Sequence, residues 1–144
     1  MTHCRSLPRL GASLAAALLL AACGAPGPKT GETGKQAFRV EFAGGASVDY
    51  TVERKLSQVN NRSCYTFITG TLRNDGARTL SRRTVIDFTA IAGGKPLFRD
   101  ITNPLGEVMP GAAKAFKVVD GPVHREGCPD YERIDVQLRP LYLD

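Results

Sequence analysis

No stretch of this sequence supplies the roughly 20 consecutive apolar residues that a permanent transmembrane helix needs. The nearest candidate, Leu10 to Ala22, is an uncharged run of thirteen residues that ends at Cys23 and the turn-forming Gly24-Ala25-Pro26-Gly27-Pro28. Histidine is scarce, with only His3 and His124, and the four cysteines include no Cys-x-x-Cys pair. These absences leave little for hydrolytic, metal-dependent or thiol-redox chemistry. Tryptophan is missing too, while 15 Gly and 9 Pro in 144 residues favour turns and short strands over long helices. Charge of one sign does not dominate: once Arg5 and Arg9 are set aside with the N-terminal segment, 17 basic residues stand against 14 acidic ones. That balance gives no reason to expect a nucleic-acid ligand.

What the N-terminus does contain is an address. Arg5 and Arg9 form a positive region and Leu10 to Ala22 an apolar one, the layout of a secretion signal. The residues at its end, Leu20-Ala21-Ala22-Cys23, resemble the lipobox of bacterial lipoproteins. That resemblance implies removal of residues 1–22 as a signal peptide, acylation of the Cys23 thiol, and Cys23 as the first residue of the mature chain. Small residues ahead of the cysteine give the peptidase access, and the thiol is the nucleophile that takes the diacylglyceryl group. A single acyl chain holds a protein to a bilayer only marginally, whereas two or three anchor it durably. An ordinary secretory signal cut near Ala22 is the plainer alternative. Gly24, rather than Asp, follows the cysteine; in a Gram-negative host this favours the periplasmic side of the outer membrane.

Residues 23–36 then read as a flexible lipidated tether, because Gly, Pro, Lys and Thr without apolar periodicity cannot offset the entropy of ordering. From residue 37 to 144 the pattern is that of one all-β domain. Phe38, Val40 and Phe42 alternate with polar residues, as do Ala46, Val48, Tyr50 and Val52. A three-residue loop, Ala43-Gly44-Gly45, pairs Phe42 with Ala46, Val40 with Val48 and Phe38 with Tyr50, and puts Gly45 in the left-handed conformation. Further strands are expected over 63–74, 79–91, 95–100, 113–120 and 131–139, separated by Asn74-Asp75-Gly76, Gly93-Gly94, Pro110-Gly111 and Gly121-Pro122. About seven strands of this length predict an antiparallel β-sandwich. Its expected core is Ile68, Leu72, Ile86, Phe88, Phe116, Val118, Ile134, Val136 and Leu138.

Five segments lie at corresponding places in a known module: Ile68 to Asn74, Thr84-Val85-Ile86-Asp87-Phe88, Gly94-Lys95-Pro96-Leu97, Val108-Met109-Pro110-Gly111 and Phe116. Together they resemble the FxLYD-type immunoglobulin-like domains of bacterial lipoproteins and envelope proteins. The likeness covers about half the mature chain and consists of core and turn positions, so it implies an immunoglobulin-like fold and not an activity. At the motif that names the family, Phe88-Thr89-Ala90 stands in place of an aromatic-Asp pair.

After Cys4 leaves with the signal and Cys23 is acylated, Cys64 and Cys128 remain, and in an exported domain they are expected to form a disulfide rather than two buried thiols. His124, beside Arg125 and Glu126, is the only candidate catalytic base of the mature chain, and the carboxylates are scattered singly. Arg73, Arg78, Arg82 and Arg83 concentrate positive charge near one turn; they make either a possible interaction surface for an anionic partner or a solvated face that limits edge pairing. The loop 101–112 mixes apolar and turn residues in the manner of binding loops. Asn61-Arg62-Ser63 fits an Asn-x-Ser triplet but carries no weight in a bacterial chain.

The sequence thus leads to a non-catalytic binding or scaffolding module, tied to a membrane at Cys23, with an envelope protein or the cell wall as partner and no cofactor. A carrier holding a small or lipid ligand between the sheets is a second expectation, and an enzyme using His124 a third.

Overall fold

Alternation of apolar and polar residues over eight to eleven positions forms strands because successive side chains point to opposite faces. The computed structural model describes residues 25–26, 35–118 and 123–143. Their elements are β1 (Ala25–Pro26), β2 (Lys35–Phe42), β3 (Ala46–Leu56), β4 (Cys64–Asn74), β5 (Val85–Ala92), β6 (Lys95–Thr102), β7 (Ala113–Lys117), β8 (Val123–His124) and β9 (Arg133–Arg139). Seven of these have five or more residues; β1 and β8 have two each.

Two antiparallel sheets result, one ordered β1-β9-β5-β6 and the other β2-β3-β4-β7, with β8 also paired to β4. The chain changes sheet between β1 and β2, β4 and β5, β6 and β7, and β8 and β9, and β4 pairs with β7 and β5 with β9. This is an all-β sandwich, as the strand count and alternation predict. The β2–β3 register is the expected one, with Phe42 opposite Ala46, Val40 opposite Val48 and Phe38 opposite Tyr50. Both Gly44 (φ 88°) and Gly45 (φ 82°) are left-handed, and a Cβ at Gly45 would lie 2.8 Å from the Gly76 amide nitrogen.

Eight of the nine expected core residues are buried, and Leu138 is partly buried against them. Between the sheets runs an aromatic seam, in which Phe38 to Tyr50 and Tyr50 to Phe88 each have ring centroids 5.2 Å apart, and Phe88 to Phe116 5.7 Å. Gly70 lies opposite both Tyr50 and Phe116 in its sheet, and an added Cβ would come within 2.7 Å of the Phe116 ring. The missing side chain makes room for the seam.

Several boundaries differ from the sequence expectation. The expected strand 79–91 is two pieces: Leu80 makes isolated bridges to Val108 and Tyr142, and β5 starts only at Val85. Between them the Thr84 amide donates to the Ser81 carbonyl and the Arg83 amide to Ser81 Oγ, a turn that carries the chain from one sheet to the other. Strand β6 runs on to Thr102, so the following loop begins at 103. Strand β7 stops at Lys117, and β9 begins at Arg133, two residues after the buried Tyr131. Most of the tether reading, like the signal peptide and Cys23, lies outside the described residues. Inside it, however, Ala25 and Pro26 pair with Ile134 and Arg133, and Lys35 and Gln36 already belong to β2. The eleven residues of β3 extend far enough to give those two their partners, Glu53 and Val52, and a proline is tolerated at a sheet edge where no amide is needed.

Asn74 closes one end of the molecule. Its buried side chain donates to the carbonyls of Arg78 (2.8 Å) and Val108 (2.9 Å) and accepts from the Gly76 amide (3.1 Å). Its main chain bonds Ala112 and Gly111, so one residue at the end of β4 pins two crossing loops. At the other end, Cys64 and Cys128 form the expected disulfide, with Cα atoms 4.8 Å apart and a sequence separation of 64.

Two outcomes follow from this framework. Replacing Cys64 and Cys128 by Ala is expected to lower unfolding free energy by roughly 4 kcal/mol, the chain-entropy value for such a loop, read by urea denaturation. Asn74→Leu is expected to cost about 1–3 kcal/mol, since it takes the side-chain donor from the Arg78 carbonyl and the acceptor from the Gly76 amide and leaves Val108 only the Leu80 amide.

Candidate functional site

The strands run between two dissimilar ends. At the cystine end lie the 57–63 connection, the Gly93-Gly94 turn and residues 123–132; at the loop end lie 43–45, 75–84, 103–112 and 140–143.

The loop end is built on Leu80, whose fully buried side chain sits between Val108 and Tyr142 in a short antiparallel arrangement. The Leu143 amide donates to the Thr79 carbonyl and the Ser81 amide to the Leu141 carbonyl. With Leu80, Val108 and Tyr142 on the inward side, alternation turns Met109, Leu141 and Leu143 outward. All three are exposed, Met109 by 64%, and Leu105 nearby is exposed by 73%. These four side chains all belong to connections at the loop end of the domain.

Of the four arginines singled out from sequence, two are committed and two are open. Arg73 lies 3.8 Å from Asp75, and the Arg78 guanidinium stacks 4.5 Å from the Tyr142 ring centre. Arg82 and Arg83 are exposed on the Ser81–Thr84 turn. Thus the sequence cluster is not one patch of four; Arg82 and Arg83 flank the apolar residues, with Arg78 laid against Tyr142.

An ionic group that sequence reasoning missed lies on the outer face of the β9-β5-β6 sheet. Asp87, in the central strand, is only 2% exposed, yet it faces outward and is covered by two arginines that are each 58% exposed. Arg99 binds it through Nε at 2.9 Å and through Nη2, and Arg139 Nη2 is 3.6 Å away. The hydrogen bonds from Arg99 hold the Asp87 carboxyl below its usual range, against the opposing effect of burial. A charge inside Val85-Ile86-Asp87-Phe88 was the available signal, but both arginines sit diagonally from it, opposite Thr89 and Val85. Only the register reveals them.

The cystine end holds His124. It pairs with Cys64 in β8, and its ring lies 6.1 Å from Phe98. Arg54, buried, donates to the Pro129 carbonyl at 2.5 Å and covers the Tyr131 ring at 5.4 Å. Burial pushes the Tyr131 hydroxyl up to about 12, and Arg54 opposes this. Burial, helped by Arg54, lowers the affinity of His124 for a proton, and its Nε2 has no hydrogen-bond partner among the described residues. These neighbours do not form the nucleophile, base and orienting group of a hydrolytic site. Among the described residues no three metal-ligating side chains converge, and no helix is long and apolar enough to cross a membrane.

The His124 shift has a definite sign. The folded chain binds its proton less readily than the unfolded chain, so stability falls as pH drops through the unfolded value of about 6.5. Thermal melts from pH 7.5 to 5 are expected to show a decline in wild type that flattens in His124→Gln. The Asp87 contribution, of the depressed-carboxylate kind, disappears only below about pH 4, outside that window. No family model, curated protein or solved structure matches the chain.

Proposed function

We propose that this chain is a bacterial envelope lipoprotein, acylated at Cys23, whose immunoglobulin-like domain is a non-catalytic binding or scaffolding module. It engages an envelope protein or cell-wall partner through its loop end.

The observation that carries this reading is the placement of the two ends. Ala25, two residues beyond Cys23, pairs with Ile134 at the start of β9, and β2 also enters from the cystine end. The exposed Met109, Leu105 and Leu141, with Arg82 and Arg83, occupy the other end. The seven residues of β9 span about 20 Å between them. Two residues of chain reach about 7 Å, so an acyl chain at Cys23 would lie within that distance of Ala25, and in this proposal the apolar and basic loop end faces away from the bilayer. The Cys64–Cys128 disulfide fits an oxidising compartment.

Metabolic labelling with a clickable palmitate is expected to mark the wild type and not Cys23→Ser; equal labelling would contradict the anchor. Photocrosslinkers at Met109 and Arg83 are expected to capture a partner in intact cells, with capture reduced by Arg82→Glu combined with Leu141→Ser. No capture from either position, with the protein present at its normal level, would remove the proposed binding end.

A further inference from the structure

Open sheet edges invite pairing by other strands, and proteins commonly blunt them with charge, proline, bulges or very short strands. Three edges of this sandwich are treated that way. Strand β6 begins Lys95-Pro96, breaks register between Ala90 and Ile91 of its neighbour, and turns Asp100 toward the inner face, where one carboxylate oxygen is buried without a hydrogen-bond partner among the described residues. Burial holds the Asp100 carboxyl above its usual range, the mark of a charge placed inward on an edge strand. Strand β7 has five residues, and β1 has two, one of them proline.

Strand β2 carries charge of both signs, at Lys35, Arg39 and Glu41, but has none of the other devices. All eight of its residues pair with β3 without a register break, it contains no proline, and among the described residues nothing pairs with its outer edge. Its sequence also has a symmetry. Reversing Phe38-Arg39-Val40-Glu41-Phe42 about Val40 exchanges Phe with Phe and Arg with Glu.

From these two features we infer that β2 is the contact between two copies of this chain, which pair antiparallel about a two-fold axis at Val40. Such an interface is isologous, each copy offering the same patch. Residues directly opposite in an antiparallel pair share a face. On the inner face Phe38 then meets Phe42 of the second copy, and Val40 meets Val40. On the outer face Arg39 meets Glu41 twice. In the single chain Arg39 is 3.3 Å from both Glu41 and Asp49, and the Glu41 side chain is 77% exposed, so the carboxylate can turn toward a second guanidinium. Neighbouring registers are poorer: an axis at Arg39 opposes two like charges, and one at Phe38 sets Arg39 against Ala37 and Val40 against Gln36. The two copies share one continuous sheet, joined through β2. The pairing is independent of the lipid anchor.

Charge exchange tests this in the full-length exported protein. Arg39→Glu and Glu41→Arg are each expected to lose self-association by sedimentation velocity, because every facing pair becomes like-charged. Mixing the two variants is expected to restore a mixed dimer, in which each Glu faces an Arg. A contact within one chain cannot produce that rescue. Independently, Val40→Cys is expected to give a reducible dimer on oxidation, since Cα atoms on the axis lie about 4.5–5.5 Å apart, within disulfide reach. Arg39→Cys, out of register with its own copy, is expected to give several-fold less. A monomeric wild type, a mixture that stays monomeric, or Val40→Cys linking only to a different protein would overturn the inference.

Discussion

Two sheets that meet across an interior are joined chiefly by side chains, and here the joint is the aromatic seam from Phe38 through Tyr50 and Phe88 to Phe116. Each ring comes from a different strand, and Phe88 alone of the four belongs to the smaller sheet. The seam therefore sets the relative position of the sheets, and with it the placement of everything at the two ends. It exists because Gly70 has no side chain where Phe116 lies. Burying one aromatic ring in such a position contributes several times what a surface ion pair does.

Much of this was legible in the residues. The β2–β3 hairpin could be read to the exact partner, because a tight loop and period-two alternation leave one register that buries both apolar sets. The core could be read for the same reason. The crossing between sheets could not: Thr79 to Thr84 contains no Gly or Pro to mark a break, and only the hydrogen bonds of Ser81 and the bridges of Leu80 show where the chain leaves one sheet for the other. Sequence proximity also misleads about charge. Arg73, Arg78, Arg82 and Arg83 are close along the chain, yet their surroundings divide them. Arg99 and Arg139 are 40 residues apart and share one carboxylate.

Two aspartates show how one sheet uses the same side chain in opposite ways. Asp87 on the outer face is held ionised beneath two guanidinium groups, whereas Asp100 on the inner face is desolvated and holds its proton more tightly. The first ties three strands together across their outer surface. The second costs stability at neutral pH and returns protection of an edge. The two carboxylates lie on opposite faces of the sheet, Asp87 opposite Ile101 and Asp100 opposite Phe88.

The path of the chain through its two ends has a mechanical consequence. A pull on the segment ahead of Ala25, resisted at the last residues beyond β9, acts along the strands. The two-residue pairing of β1 with β9 is the weakest element in that path and yields first. Beyond that, load passes to β2, whose eight residues are held against β3 and must slide together. The domain then gives way at a two-residue contact before an eight-residue strand takes the load.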